Sequence, residues 1–131
     1  MISIKIKYIM NIKFIINDHD EIIKLIAPGY DNIIRIWDFN SGVIIKEIKI
    51  ESNDLYILKS FCFLNNKFLF AGCKDNSIRL INLENGYVYQ KLFGHKDIVL
   101  TLKIIIHHKY GECLLSQGYR DDQIKLWKYK N

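Results

Sequence analysis

The stretch DNIIRIWDFNSG at residues 31–42 decides the fold, because it recurs twice further along the chain. It returns 44 residues later as DNSIRLINLENG at residues 75–86, and 46 residues after that as DDQIKLWKYKN from Asp121. Each copy begins with an aspartate, and in the first and third copies a tryptophan stands six positions after it. Self-similarity at a fixed period indicates repeated structural units that stack on one another. We therefore expect three units that share one internal register.

The composition around these copies favours β-strands. Ile supplies 25 of the 131 residues and Ala only two, and no segment carries several turns of helical periodicity. Turn residues recur about every 8 to 12 positions, which is typical of short antiparallel strands joined as a meander. The stretch FCFLNNKFLFAGC at residues 61–73 is apolar on both faces, as expected for a sheet that is covered on both sides. The sequence therefore predicts an all-β chain of stacked sheets.

With these motifs the chain resembles the WD40-repeat family, whose four-stranded units are the blades of a β-propeller. The resemblance rests on the Trp37-Asp38 pair, on the Ile-Lys-Leu-Trp stretch that ends at Trp127, and on the Gly94-His95 pair that opens the third copy. It implies a partial propeller of about three four-stranded antiparallel blades. One WD40-repeat region would then cover the chain, with offset repeats at about 1–40, 41–84 and 85–129.

The resemblance also implies a structural set of hydrogen-bonded side chains in each blade. In the third copy its members would be His95, Asp121 and Trp127, with Ser116 one position away from the usual place. The equivalent residues of the first two copies are Asp31, Trp37 and Asp75. The second copy has Ile81-Asn82 where the family has Trp-Asp, and Ala71 at the usual serine or threonine position. We expect the first two units to be looser than the third.

Catalysis and metal binding find no support in the sequence. The three repeat aspartates precede an Ile-rich strand by two or three residues, which indicates turn residues that accept backbone N–H groups rather than an acidic reaction centre. His107, His108 and Cys113 lack a fourth ligand at a usable spacing. A phosphate-binding loop, a nucleophile elbow and a paired-carboxylate site are also missing from the sequence. We expect a chain that is not an enzyme and that needs no cofactor or metal.

Charge and cysteine content limit the partners and the compartment. The formal net charge is +5, but only three of the 19 basic residues are arginine, and lysine on edge strands also discourages aggregation. We expect no nucleic-acid partner, and a basic propeller module associated with nucleic acid is the alternative. Three cysteines at separations of 11 and 40 form no disulfide framework, and the sequence holds neither a signal peptide nor a membrane-spanning run. These features predict a cytoplasmic protein, with the nucleus as a second location.

The resemblance implies a non-catalytic scaffold that binds proteins or peptides through loops at one rim. The candidate partner-binding residues stand just before or within the predicted turns that carry the repeat aspartates: Tyr30, Lys74, Tyr119 and Arg120. Aromatic and basic groups suit peptides with acidic or phosphorylated side chains.

Three blades are too few for a ring, because propellers typically have four to eight. We expect the 131 residues to be part of a longer propeller, with further blades in cis. Two alternatives remain open. Residues 2–7, an outer-type strand, could pair with the last strand of a second copy to give six blades, or a different chain could supply the missing blades.

Overall fold

The computed structural model of the chain describes residues 12–52 and 58–129. Within these ranges the chain forms eleven strands and no helix. The first four strands are β1 (Lys13–Ile16), β2 (Ile22–Pro28), β3 (Ile33–Asp38) and β4 (Ile44–Lys49). The next four are β5 (Leu58–Phe63), β6 (Phe68–Cys73), β7 (Ile78–Asn82) and β8 (Val88–Leu92). The last three are β9 (Val99–His107), β10 (Gly111–Gly118) and β11 (Ile124–Lys128).

These strands form three antiparallel sheets in which sequence neighbours are also neighbours in space. Sheet 1 has the order β1-β2-β3-β4, sheet 2 the order β5-β6-β7-β8, and sheet 3 the order β9-β10-β11. The all-β meander of stacked sheets is therefore confirmed. Sheet 3 has only three strands among the described residues, whereas the sequence predicts about three four-stranded blades. The repeat boundaries at about 1–40, 41–84 and 85–129 stay a prediction.

Sheet 2 is covered on both faces, because alternate residues of its strands enter two different cores. Leu69 and Ile81 belong to a core shared with sheet 1, whose members there are Ile26, Ile34, Ile48 and Ile50. Phe70 and Leu80 belong to a core shared with sheet 3, whose buried members there are Val99 and Leu114. Successive side chains of a strand point to opposite faces, which is why a nearly continuous apolar run suits a sheet between two neighbours.

Sheets 2 and 3 approach each other closely at Gly72. The Ser60 hydroxyl donates a hydrogen bond of 2.6 Å to the backbone oxygen of Val99, across the two sheets. A Cβ at Gly72 would collide with both of these oxygen atoms. A glycine is therefore required here for the backbones to meet at this distance.

The outward faces of sheets 1 and 3 differ in how much apolar surface they expose. On sheet 1, Leu25, Ala27 and Trp37 form a small buried cluster. On sheet 3, Ile124 is 65% exposed and Leu126 41% exposed, which agrees with an open face.

The N-terminal strand predicted at residues 2–7 lies outside the described residues. Strand β2 ends at Pro28, which still lies opposite Ile34, and the Gly29 N–H donates to the Ile33 oxygen over 2.9 Å just after it. No helix long and apolar enough to cross a membrane is found in the described part of the chain.

Candidate functional site

Each of the three repeat aspartates accepts a backbone hydrogen bond from the residue two positions later. The donors are the N–H groups of Ile33, Ser77 and Gln123, at 3.3, 3.1 and 3.1 Å from the carboxylates of Asp31, Asp75 and Asp121. This contact orients the turn that leads into the third strand of each sheet. The turn position predicted for these residues is the one that the structure gives them.

In the first two sheets the aspartate also binds an arginine four residues later. Arg35 Nη2 lies 2.6 Å from Asp31 Oδ2, and Arg79 Nη2 lies 2.9 Å from Asp75 Oδ2. The hydrogen bond from Arg35 is the main reason why the pKa of Asp31 is lowered. Burial alone would raise the pKa of Asp75, but hydrogen bonds from Ser77 and Arg79 outweigh it and the pKa is lowered. Both carboxylates are therefore held in the charged form.

Asp31 and Asp75 thus take part in structural hydrogen bonds, but with an arginine of their own sheet rather than with a histidine as in the third copy. No Gly-His pair precedes the first two copies, so the carboxylates meet arginines instead. Trp37 packs against Leu25 and Ala27, and no hydrogen bond among the described residues joins it to Asp31. The arginines were missed from the sequence, although both stand at the same fourth position after their aspartate.

In the third sheet the structure brings the four predicted side chains together. His95 Nδ1 lies 2.7 Å from Asp121 Oδ2, and His95 Nε2 lies 2.6 Å from Ser116 Oγ. Trp127 Nε1 donates to Ser116 Oγ over 2.7 Å. Because a carboxylate only accepts, His95 donates from Nδ1, and in the tautomer that carries its proton on Nδ1 the Nε2 atom accepts the Ser116 proton. The chain of donors runs from Trp127 through Ser116 and His95 to Asp121.

Solvent is almost excluded from the inner pair of this set. The His95 side chain is 1% exposed and that of Asp121 2% exposed. The hydrogen bond from His95 is the main cause of the lowered pKa of Asp121. A buried carboxylate without donors would be costly, so the bonds from His95 and from Gln123 N–H account for its burial here.

Ser116 lies at the usual serine or threonine position of the second strand, although counting along the sequence places it one residue away. The difference arises in the β10–β11 turn. Ser116 pairs with Lys125 across the sheet, as Ala71 pairs with Arg79 in sheet 2. Asp121 stands five positions after Ser116, whereas Asp75 stands four positions after Ala71, so the β10–β11 turn is one residue longer.

The backbone conformation of the longer β10–β11 turn differs from that of the shorter turns in sheets 1 and 2. In sheets 1 and 2 the residue with positive φ follows the aspartate, at Asn32 and Asn76. In sheet 3 it precedes the aspartate, at Arg120 with φ of 56°. A Cβ at Gly118, the last residue of β10, would lie 3.0 Å from Asp121 Cβ and 3.2 Å from Asp121 Oδ2, so glycine at this position avoids crowding against the inward-facing aspartate. The extra residue therefore turns the carboxylate away from position 125 and toward His95.

The His95 segment connects β8 to β9, and several further bonds hold it. Tyr119 N–H donates to the Ile98 oxygen over 2.7 Å, and Asn76 Nδ2 donates to the Lys96 oxygen over 3.2 Å. Together with the His95–Asp121 contact, these bonds join the connector to the β6–β7 turn of sheet 2 and to the β10–β11 turn of sheet 3.

The candidate partner-binding residues lie in the equivalent turns after β2, β6 and β10, and all four are exposed: Tyr30, Lys74, Tyr119 and Arg120. Equivalent turns occupy the same end of each sheet, so these residues share one rim. Arg120 is partly engaged within the chain, since its Nε lies 3.3 Å from Asp97 Oδ2 and its guanidinium lies 5.2 Å from the Tyr119 ring centroid. We call this end of the sheets the turn rim.

The candidate metal ligands His107, His108 and Cys113 do not form a metal site among the described residues. His107 Nδ1 accepts the backbone N–H groups of Lys109 and Tyr110, and its ring stacks on that of His108. Cys62, Cys73 and Cys113 are free thiols. Burial raises the pKa of Cys73 to about 11, which keeps this thiol protonated and unreactive. Within the described ranges no three His, Cys, Asp or Glu side chains are grouped so that they could hold a metal ion.

Comparison with known proteins matches residues 86–128 to the family model "WD domain, G-beta repeat". These residues hold the complete hydrogen-bonded set of His95, Ser116, Asp121 and Trp127.

Two curated relatives extend the similarity beyond this segment. Myosin heavy chain kinase C of Dictyostelium discoideum is 26% identical over 107 residues, 76% of this chain and 13% of its own length. WD repeat-containing protein ATCSA-1 of Arabidopsis thaliana is 24% identical over 102 residues, 78% of this chain and 22% of its own length. The chain thus spans less than a quarter of the length of either relative.

A solved structure supports the fold over most of the chain. The WD40 β-propeller domain of Doa1 superposes with a TM-score of 0.64 and 20% identity, covering 83% of this chain and 34% of the solved one. At this identity the likeness shows the fold alone. Residues 86–128 therefore match a WD40 repeat, and the chain as a whole shares the fold of a solved WD40 β-propeller domain.

Proposed function

We propose that this chain is a non-catalytic scaffold whose turn rim binds acidic or phosphorylated peptides of other proteins, in the cytoplasm. One observation carries the proposal: equivalent turns of all three sheets present exposed aromatic or basic side chains at the same end. In sheets 1 and 2 the turn aspartate is already paired with an arginine of its own sheet, so it does not neutralise Lys74. A rim of exposed Tyr, Lys and Arg offers both charge and flat apolar surface to a peptide.

A scaffold role also agrees with the contacts that the buried polar side chains of the described residues make. The buried histidine, aspartate and arginine of the described residues, His95, Asp121 and Arg79, are all engaged in contacts that hold turns and strands together. The kinase named among the relatives is a far longer protein, and the alignment covers 13% of it. Enzymatic activity therefore forms no part of the proposal.

The test uses peptides of defined charge. A fluorescent peptide with several glutamates, its phosphoserine counterpart and a neutral serine version are titrated with the full chain. We expect the acidic and phosphorylated peptides to bind more tightly than the neutral one. The triple variant Tyr30→Ala, Lys74→Ala, Arg120→Ala should weaken that binding at least about tenfold, because it removes one aromatic anchor and two charges.

A matched control removes one tyrosine and two basic side chains at the opposite end of the sheets. Tyr87→Ala, Lys67→Ala and Lys109→Ala remove one exposed tyrosine and two lysines from turns after β7, β5 and β9. This control variant should bind the acidic peptides as the unchanged chain does. Equal losses in the two variants, or equal binding of all three peptides, would contradict a specific rim site.

The nucleic-acid alternative gains no support from the comparisons, and salt dependence separates it from the proposal. Binding that neutralises several phosphates of a polynucleotide weakens steeply with salt. We expect a single-stranded RNA homopolymer to bind more weakly than the acidic peptides at 150 mM salt, roughly physiological ionic strength. Tighter binding of the RNA at that salt would favour the alternative.

A further inference from the structure

Arg120 lies on the turn rim with its side chain held by two neighbours. Its Nε donates to Asp97 Oδ2 over 3.3 Å, and its guanidinium lies 5.2 Å from the centroid of the Tyr119 ring. The other carboxylate oxygen of Asp97 accepts the Ile98 N–H over 2.8 Å, so the carboxylate is itself held by the β8–β9 connector. The Arg120 guanidinium therefore has a preferred orientation, although 77% of the side chain is exposed.

The backbone on either side of Arg120 is also held in place. Arg120 adopts a φ of 56° in the longer β10–β11 turn, and the next residue, Asp121, is bound to His95. On the other side, the Tyr119 N–H donates to the Ile98 oxygen over 2.7 Å. A binding group that is ordered before its ligand arrives loses less conformational entropy on binding. The buried set of the third sheet therefore helps to fix the position of an exposed guanidinium.

The Nη atoms of Arg120 are available to a ligand. Among the hydrogen bonds and ion pairs of the described residues, Arg120 takes part only through Nε. The other two arginines, Arg35 and Arg79, use Nη2 to bind the aspartate of their own turn. Two parallel N–H groups of a guanidinium match two oxygens of a carboxylate or a phosphate. Arg120 can therefore form such a contact with a bound anion while it keeps its bond to Asp97.

The positive charges near Arg120 favour a phosphate over a carboxylate. Lys74 and Lys96 are exposed on two segments that are bonded to each other, since Asn76 Nδ2 donates to the Lys96 oxygen over 3.2 Å. Lys96 directly precedes Asp97 in the connector. A carboxylate uses both of its oxygens in a bidentate contact with arginine, whereas a phosphate has a third oxygen and more negative charge for a lysine. One oriented guanidinium with two nearby ammonium groups therefore suits a phosphate best.

We propose that Arg120 is the phosphate-binding residue of the turn rim, that Asp97 positions its guanidinium, and that the ligand is a phosphorylated side chain of another protein. The site lies within the turn rim, so the inference rests on the proposed rim function. Two phosphate oxygens would accept from the Nη atoms of Arg120 while Nε stays bound to Asp97. Lys74 and Lys96 would supply the positive charge that balances the rest of the phosphate.

The probes are the fluorescent glutamate peptide, its phosphoserine counterpart and the neutral serine version, each titrated with the full chain. We expect the phosphoserine peptide to bind more tightly than the glutamate peptide. Arg120→Lys keeps the positive charge but cannot form the bidentate contact. It should therefore weaken binding of the phosphoserine peptide about tenfold, and binding of the glutamate peptide less.

The Asp97→Ala variant tests whether the carboxylate positions Arg120 or only cancels its charge. We expect binding of the phosphoserine peptide to weaken about two- to fivefold, because the guanidinium loses its orientation. Asp97→Glu restores a carboxylate and should recover part of that loss. In the Arg120→Ala background, Asp97→Ala should cause no further loss, whereas a general loosening of the connector would still weaken binding. Asp18→Ala, which removes an exposed aspartate at the opposite end of sheet 1, is the matched control and should bind every peptide normally.

Several outcomes would overturn the phosphate site without touching the proposed rim function. They are equal binding of the phosphoserine and glutamate peptides, unchanged phosphoserine binding in Arg120→Lys, and unchanged or tighter phosphoserine binding in Asp97→Ala. The positioning role of Asp97 is also overturned if Asp97→Ala weakens binding further in the Arg120→Ala background. In each case the rim can still bind acidic peptides in preference to the neutral one. If neither charged peptide binds better than the neutral one, the proposed function fails, and the phosphate site fails with it.

Discussion

The Ser116 hydroxyl lies 2.6 Å from His95 Nε2 and 2.7 Å from Trp127 Nε1, so one small side chain links a connector to the last strand of the chain's third sheet. The hydroxyl donates to the histidine and accepts from the indole. Its loss would leave two buried or half-buried nitrogen atoms without their partner.

We predict that Ser116→Ala lowers the free energy of unfolding by about 1–3 kcal/mol, the usual cost of leaving buried hydrogen-bonding groups unpaired. Ser41→Ala is the control, because the Ser41 hydroxyl also makes a short bond, to Asp38, but on the exposed surface. Urea unfolding followed by tryptophan fluorescence measures both. A loss for Ser41→Ala as large as that for Ser116→Ala would show that the set contributes no special stability.

Acid should destabilise the fold through the turn aspartates. The pKa values of Asp31, Asp75 and Asp121 are lowered below the ordinary 3.8. A carboxylate whose pKa is lower in the folded state contributes its full stability above the unfolded pKa and loses it as pH falls through the folded pKa. We therefore expect the free energy of unfolding to decrease below about pH 4. Replacing all three with asparagine should flatten this decrease, and an unchanged acid profile in that variant would contradict the assignment.

We predict that mutations of Arg79 and Asp75 have coupled, non-additive effects on the free energy of unfolding. Arg79→Met leaves the Asp75 carboxylate without its main cationic partner, and we expect it to cost about 1 kcal/mol because Asp75 is partly exposed to solvent. Adding Asp75→Asn removes the unpaired charge and should recover part of that loss. A double-mutant cycle measured in urea gives the coupling energy. Simple additivity of the two changes would argue against the pair.

The core between sheets 2 and 3 should contribute more to stability than any polar contact. Phe70 is fully buried there, and Phe70→Ala should cost about 3–5 kcal/mol through lost burial and the cavity that remains. Ile106→Ala, which changes a residue that is 80% exposed on β9, should cost less than about 0.5 kcal/mol. Thermal unfolding of the two variants provides the comparison, and similar melting temperatures would contradict the stacked-sheet core.

The strands and their stacking could be predicted because apolar periodicity and a repeat of the same motif are properties of the sequence alone. The four members of the third-sheet set could also be named, since Asp121, Trp127 and the Gly94-His95 pair stand at informative spacings. The place of Ser116 could not be counted correctly, because a residue added in a turn changes the spacing without changing the strand register.

The pairing of Asp31 and Asp75 with arginine was missed for a related reason. An aspartate in a turn can bond to its own strand or to a connector, and the choice depends on where the backbone adopts positive φ. Residue type alone does not determine that angle at Asn32, Asn76 and Arg120.

The β10–β11 turn is one residue longer than the corresponding turns of sheets 1 and 2, so the chain contains two kinds of repeat unit. In a unit with the short turn and alanine on its second strand, the turn aspartate is held by an arginine of its own third strand. A unit with the long turn and serine there is anchored to the preceding connector, by histidine. Insertion or deletion at this one turn, with compensating changes at Ser116 and Lys125, offers evolution a short route between units whose aspartate is held by their own strand and units whose aspartate is held by the preceding connector.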